Sequence, residues 1–480
     1  MEEIKRYPIV VIGAGPGGLV VANGAAKAGK RVLLIEKKHY GGDCTNFGCI
    51  PSKTLISSAE VAHATQVGQE YGIAFESEKF TATEALDRIR KIIASVRSHE
   101  DPEALNKIGV DTLTGVASFA DPHTLLVTEA GGMEHKIYGK NIVIATGSYP
   151  FIPPIEGLKN TPYLTNETIF DLKEIPKSLG ILGAGPIGSE LAQGFQRLGS
   201  EVVLIESQRG LMPNEAEETS KVMAEVFQKE KIGLHILCET NYIAYQNGKF
   251  VICIAEKNEK EDVEVDQLLI ATGRRPNIAD LQLEKAKVVH SEKGIPIDAY
   301  GRTNQTHIFA IGDVVGGPLF THLAENHGRT VLTTLLLPGP FKKKLDRVQD
   351  VPRCTFTDPE IASFGLQEKE ALAKYGEKKI ATYTISFADI DRAICAARTE
   401  GFVKIVTKKW SSKILGATIV APRAGEMLQE LTLAKLYNIP LRKLRRLIHP
   451  YPVYSDAIRQ LADQWLTKTI LGSFRKEKKE

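Results

Sequence analysis

At 480 residues, 43% hydrophobic and 25% charged, the chain has the make-up of a globular protein too long for one ordinary core, so two to four domains are expected. Its net charge of +3 is small for this length and argues against a nucleic-acid partner, and no apolar run reaches the roughly 18 residues of a membrane span. No signal peptide precedes the first expected strand, and of the six cysteines only Cys44 and Cys49 sit in a motif, which predicts a cytoplasmic protein with one reactive pair. Cys238, Cys253, Cys354 and Cys395 read as small buried hydrophobes, and the mixed-charge tail Arg475 to Lys479 as a solvated end.

In chain order, Tyr7 to Ile12 reads as a buried strand, followed by GAGPGG, a helical run and a second strand that ends at Glu36. Gly13, Gly15 and Gly18 give the G-x-G-x-x-G turn that lets backbone approach a pyrophosphate at a helix N-terminus, and Glu36 can accept hydrogen bonds from a ribose.

Gly41 to Lys53 (GGDCTNFGCIPSK) follows, with Cys44 and Cys49 five positions apart. In a regular helix rising about 1.5 Å per residue this spacing exceeds comfortable disulfide geometry, so a bond requires a distortion, which Gly48 permits. Pro51 suits a first helical turn, which places Cys49 where backbone N–H groups and the helix dipole favour a thiolate. A nearby carboxylate such as Asp43 disfavours one.

From Phe80 to Lys107, Leu86, Ile89, Ile93 and Val96 recur at helical spacing and predict core packing. Two ATG segments, Ala145–Gly147 and Ala271–Gly273, each follow an apolar strand and precede a proline-containing loop, with Pro150 to Pro154 a natural boundary. Between them the first unit recurs: Gly183, Gly185, Gly188 and Glu206 repeat Gly13, Gly15, Gly18 and Glu36 at a constant offset of 170. Two dinucleotide sites are implied. Glu206 favours NADH because a carboxylate bonds a free 2′-hydroxyl and repels a 2′-phosphate, although Arg209 could serve that phosphate and keeps NADPH open.

Beyond the second ATG lie IFAIGD (Ile308 to Asp313) and THLAENHGR (Thr321 to Arg329). His322 and His327 are five apart, on different helix faces, so packing or solvent roles are expected and no metal site. Cys354 to Leu366, Gly401 to Val406 and Ile414 to Val420 read as strands with a buried face.

These segments, nearly end to end, resemble the class I FAD-dependent pyridine nucleotide–disulfide oxidoreductases, which include dihydrolipoamide dehydrogenase and glutathione reductase, and in particular the mercuric-reductase-like branch. The resemblance implies an α/β fold with two Rossmann-like dinucleotide-binding domains, for FAD and NAD, plus a C-terminal α+β dimerisation domain. The expected boundaries are 1–150 (FAD), 151–270 (NAD(P)), 271–350 (a central segment returning to the FAD domain) and 351–480 (dimerisation). It assigns Gly13, Gly15, Gly18, Glu36, Gly42, Lys53, Thr146, Gly147 and Asp313 to FAD, with Asp313 on the ribityl chain. Gly183, Gly185, Gly188, Glu206 and Gly273 fall to the nicotinamide cofactor. Cys49 becomes the flavin-facing thiolate and Cys44 the interchange thiol. Lys53, paired with Glu190, would stabilise negative charge near the flavin. The implied partners are a second copy of the chain and a small acceptor: a disulfide, a quinone, or a thiophilic metal ion such as mercury or copper.

The chain departs from the family at Ile448 to Asp456, IHPYPVYSD. Disulfide-reducing members carry His-Pro here, with a glutamate five residues after the histidine that orients it for acid–base work. His449 has Tyr454 at that distance, whereas a register shifted by two puts Tyr451 in the histidine's place and Asp456 in the glutamate's, as in mercuric-reductase-like members. The second register is favoured, with His449 the alternative base. Mercuric reductases also end in a vicinal cysteine pair, whereas here the last cysteine is Cys395 and the final GSFRKEKKE holds no thiol. The expected function is electron transfer from NAD(P)H through FAD to Cys44–Cys49 and on to an acceptor. The alternatives are a dihydrolipoamide dehydrogenase and a non-catalytic redox sensor.

Overall fold

The strand Lys5–Ile12 becomes almost continuously buried toward its C-terminal end, as a parallel strand covered on both faces must. In the computed structural model, which describes residues 4–74, 81–256 and 259–471, it is the centre of the first sheet. Val110–Thr114, Val32–Glu36, Lys5–Ile12 and Glu134–Ile144 lie side by side in that order and run parallel. The short strand Ile308–Ala310 pairs with Glu134–Ile144, so the chain rejoins this sheet after a long excursion. Val116–Asp121 and Thr124–Thr128 extend the other part of Glu134–Ile144 as an antiparallel arm.

The repeat at an offset of 170 is a repeat in space. Gly233–Ile236, Glu201–Glu206, Ser178–Leu182 and Gln267–Ile270 form a second parallel sheet with the same three-two-one-four order. In both sheets the Gly-rich turn leaves the C-terminal end of the strand where the order reverses, the place where open α/β sheets bind ligands. The turns match closely: Gly13 has φ +103° and Gly183 φ +102°, a region that L side chains rarely adopt. A hairpin sheet of Glu239–Gln246, Lys249–Glu256 and Glu259–Val265 is attached to the second unit.

The two units are joined through the segments that follow the ATG sequences. Ser148–Pro150 and Arg274–Pro276 pair as a two-stranded antiparallel ladder. The last sheet is antiparallel, ordered Arg353–Thr355, Glu360–Gly365, Ile414–Ala421, Phe402–Lys408 and Ile380–Ser386. The helices Ala424–Leu436 and Asp456–Gln464 supply Leu428, Leu431, Ile458 and Leu461 to its core. Buried Arg197 joins this region to the second unit through Glu230 at 2.7 Å and Asp358 at 3.0 Å.

Two expectations need adjustment. The helical run expected to Lys107 divides into Ala85–Arg97 and Pro102–Lys107, because Asp101 caps a new helix by accepting the Ala104 N–H at 2.8 Å. Leu86 and Ile89 are buried as predicted, Ile93 partly so. Cys238 is buried, but Cys253 and Cys354 are only partly so, and Cys395 is exposed at the end of the short Asp391–Cys395 helix. Phe80 and the tail from Gly472, including Arg475 to Lys479, lie outside the described residues. Among the described residues no helix is long and apolar enough to cross a membrane.

Candidate redox-active site

The predicted distortion between the cysteines is a complete break. One short helix spans Gly42–Asn46, Phe47 and Gly48 leave helical geometry, and a new helix begins at Cys49 and runs to Gln66. Gly48 is tightly enclosed, since a Cβ there would stand 3.1 Å from the Asp43 carbonyl oxygen and 3.4 Å from the Cys44 Cα. Pro51 lies in the first turn, and Cys49 is the first residue of its helix.

Both cysteines are free thiols in mutual hydrogen-bonding contact. The hydrogen bond with Cys44 is the largest cause that brings Cys49 down to about 6. The Thr321 hydroxyl and the Lys53 charge act in the same direction, against burial. That hydrogen bond and then burial push Cys44 up. Cys49 Sγ lies 3.2 Å from Thr321 Oγ1, at the start of the Thr321–Leu336 helix. The two sulfurs are therefore inequivalent, with surroundings that favour a thiolate at Cys49 and a thiol at Cys44.

One helical turn on, Lys53 Nζ lies 2.6 Å from Glu190 Oε2. The other oxygen of this buried glutamate accepts the Phe356 N–H at 2.8 Å, and the Lys53 ammonium sits 4.4 Å from the centre of the Phe356 ring. Residues from the first unit (Cys49, Lys53), the second unit (Glu190) and the C-terminal region (Phe356) thus meet beside Cys49. Sequence reasoning missed Thr321 and Phe356, whose side chains carry no local signature.

Glu36 and Glu206 occupy equivalent places. Each takes the first backbone N–H after its glycine turn, Ala14 and Ala184 respectively, both at 2.8 Å. The second oxygen accepts from Lys38 N at 2.9 Å and from Gln208 N at 2.8 Å. Gly42 brings the cysteine loop against the first turn, for a Cβ on it would stand 2.6 Å from the Gly15 Cα. At the crossings, Thr146 Oγ1 donates to Asn277 O at 2.7 Å, and Gly147 (φ +69°) and Gly273 (φ +122°) lie just before the paired strands. Asp313 accepts from the Ser148 hydroxyl at 2.6 Å, and burial pushes its carboxyl up.

The two histidines of the Thr321–Leu336 helix have separate tasks. His327 Nδ1 accepts the Gly312 N–H at 3.3 Å and is pushed down by burial, while His322 Nε2 meets Pro352 O at 2.7 Å.

The C-terminal loop separates the two registers. Tyr451 is 77% exposed, and its hydroxyl donates to Asp391 Oδ2 at 2.7 Å. That hydrogen bond pushes the phenol up. Asp456, expected as the orienting carboxylate, is instead occupied by Arg459 at 2.7 Å and Gln460 at 2.9 Å. His449 points inward, its side chain only 7% exposed, and Nε2 lies 3.1 Å from Glu430 Oε2. A carboxylate from another helix therefore holds the imidazole that Tyr454 could not. Among the described residues, His449 Nδ1 and Glu430 Oε1 are buried without a hydrogen-bond partner.

Residues 7–328 match the family model of the pyridine nucleotide-disulphide oxidoreductases, and residues 351–462 match that family's dimerisation domain. The chain belongs to this family. It is accordingly an FAD-dependent NAD(P)H oxidoreductase, and the dimerisation-domain match supports a homodimer. The dihydrolipoyl dehydrogenase of Corynebacterium glutamicum is 34% identical over 472 residues, covering 95% of this chain and 97% of the relative. The mercuric reductase of Staphylococcus aureus is 32% identical over 459 residues, covering 95% and 82%. The solved Cu(II) complex of the HOCl-induced flavoprotein disulfide reductase RclA from Escherichia coli superimposes with a TM-score of 0.84 at 29% identity, covering 96% of this chain and all of that one.

The oxidoreductase's own residues fit FAD at the first turn. A Cβ at Gly13 would stand 2.3 Å from the Ala145 carbonyl oxygen, so only glycine leaves the backbone this close. Gly15 at the N-cap puts no side chain over the first-turn N–H groups, which is what an anionic pyrophosphate requires. Gly185 does the same at the second turn.

Proposed function

We propose that this oxidoreductase passes electrons from NADH to the Cys44–Cys49 disulfide and on to a thiophilic metal ion. The supporting observation is the C-terminal loop. Reducing a small disulfide needs an acid for the departing thiolate, and oxidising a dithiol needs a base. Here the exposed tip offers the Tyr451 phenol, pushed up by Asp391, while the His449 imidazole is withdrawn behind Glu430. A metal ion taken up by two sulfurs needs neither group. As the S–S bond re-forms, the Cys44 thiol and the Cys49 thiolate would together release one proton and two electrons, reducing two cupric ions to cuprous or one mercuric ion to the element. The Cu(II) complex of RclA supports this class of acceptor.

Bound FAD supplies the two-electron relay between nicotinamide and disulfide. Around it, Lys53 keeps a positive charge beside Cys49, Glu190 fixes the lysine, and Thr321 donates to the thiolate. Glu206 is the proposed ribose ligand. Glu206→Ala is expected to raise the KM for NADH by about tenfold, the value of one hydrogen bond to a charged group. An unchanged KM would remove Glu206 from that role.

A second reading, oxidation of dihydrolipoyl groups, is favoured by the His449–Glu430 pair, because a carboxylate-held imidazole is a competent base. One anaerobic experiment separates the two. With the metal-ion reading, NADH is consumed continuously on adding Cu(II) or Hg(II), and dihydrolipoamide bleaches the flavin only slowly. Rapid bleaching by dihydrolipoamide, with no metal-dependent turnover, would overturn it in favour of the second.

A further inference from the structure

Asp43, immediately before Cys44 in the short Gly42–Asn46 helix, is held by side chains from distant parts of the chain. Its Oδ1 accepts from Arg274 Nη2 and from Asn166 Nδ2, each at 3.0 Å. Its Oδ2 would lie 3.1 Å from a Cβ built on Gly48, at the break between the cysteines, and its main-chain carbonyl accepts the Phe47 N–H at 2.8 Å. Asn166 also donates to Phe47 O at 3.4 Å. The Arg274 side chain is 10% exposed, with its remaining bonds to Ser148 Oγ (2.8 Å), Ser148 O (3.0 Å) and Asn166 Oδ1 (3.2 Å). Ser148 and Arg274 are the first residues after the two ATG crossings and belong to the paired strands there. A single carboxylate thus ties the cysteine loop to the ladder that joins the two dinucleotide units.

We propose that Asp43 is a positioning residue for the disulfide chemistry: through Arg274 and Asn166 it fixes the Cys44–Gly48 turn to the interdomain ladder and holds a carboxylate beside the cysteine pair. The inference rests on the proposed roles of Cys44 and Cys49. Reduction breaks the S–S bond with two electrons and one proton, leaving Cys44 as thiol and Cys49 as thiolate. Several charged groups surround that sulfur. Lys53 faces it from the next turn, paired with Glu190 from the second unit. Asp43, immediately before Cys44, is paired with Arg274. Glu100 accepts from Thr45 beside Cys44 at 2.9 Å, and Asp313 is connected through Ser148. After the hydrogen bond between the thiols, burial and Lys53, the Asp43 charge is a further contribution that pushes Cys49 up.

The test uses the full-length, FAD-loaded protein reduced anaerobically. Alkylation by iodoacetamide, followed across pH by mass spectrometry of the Cys44 and Cys49 peptides, gives the thiolate midpoint without relying on turnover. Asp43→Asn is nearly isosteric and is expected to lower that midpoint by about half a pH unit, a roughly threefold change in proton affinity. Asp43→Thr should move it the same way, and Asp43→Glu should keep it near that of the wild type. A midpoint unchanged or raised in both Asp43→Asn and Asp43→Thr overturns the proposal. The long-wavelength absorbance of the reduced wild type is recorded in parallel. Its absence counts against Cys49 as the flavin-facing sulfur, while the alkylation midpoints still decide the role of Asp43.

Discussion

Cys49→Ser is expected to abolish long-wavelength charge-transfer absorbance in the reduced protein and to lower NADH-dependent metal reduction by about a thousandfold or more, as loss of an essential nucleophile does. The expectation follows from polarisation of the pair. Cys49 alone combines a helix start, the Thr321 hydroxyl at 3.2 Å and the Lys53 charge, and it alone is brought down, to about 6. In the wild type the band should therefore be strong at pH 7 and fade as pH falls through about 6, where the sulfur takes a proton. A serine hydroxyl cannot ionise in this range. Cys44→Ser should keep a thiolate at Cys49 and hence keep the band while losing turnover. Persistence of the band in Cys49→Ser, or its loss in Cys44→Ser only, would reverse the assignment of inner and outer sulfur.

Lys53→Met should slow anaerobic reduction of the flavin by NADH by about a hundredfold, the scale on which a placed charge stabilises a developing anion. Lys53 is the cation 2.6 Å from Glu190, and methionine retains most of its packing against the Phe356 ring. Two further consequences distinguish this from a general disturbance. Loss of the Lys53 charge removes one of the influences that lower Cys49, so the charge-transfer midpoint should move to higher pH. Lys53→Arg, which keeps the charge, should restore the midpoint and part of the rate. Stopped-flow reduction rates within about threefold of the wild type for Lys53→Met would show that the ion pair is structural. An unmoved midpoint would show the same.

The exposed apolar side chains near the C-terminal loop fit the dimerisation-domain match. Leu433, Leu436, Tyr437, Ile448 and Tyr451 are all exposed on one protomer. Family membership also sets aside the reading of a non-catalytic sensor.

The sequence by itself determined whatever depends on neighbouring residues. A G-x-G-x-x-G turn needs glycine because a Cβ at Gly18 would stand 2.0 Å from the Gly13 carbonyl oxygen, and the same contact at Gly188 is 1.9 Å. Such contacts lie within one turn, so both dinucleotide units, their glutamates and the broken helix between Cys44 and Cys49 were legible in local spacing. Only the tertiary structure decided which distant carboxylate met which group. Glu430 reaches His449 across 19 residues, Asp391 reaches Tyr451 across 60, and Arg274 reaches Asp43 across 231. Surface and partly buried carboxylates carry no periodic signal, and any of several could have filled each place. The choice follows from how the helices Ala424–Leu436 and Asp391–Cys395 and the interdomain ladder pack, which is set by burial of apolar faces and strand pairing rather than by any local pattern around these carboxylates.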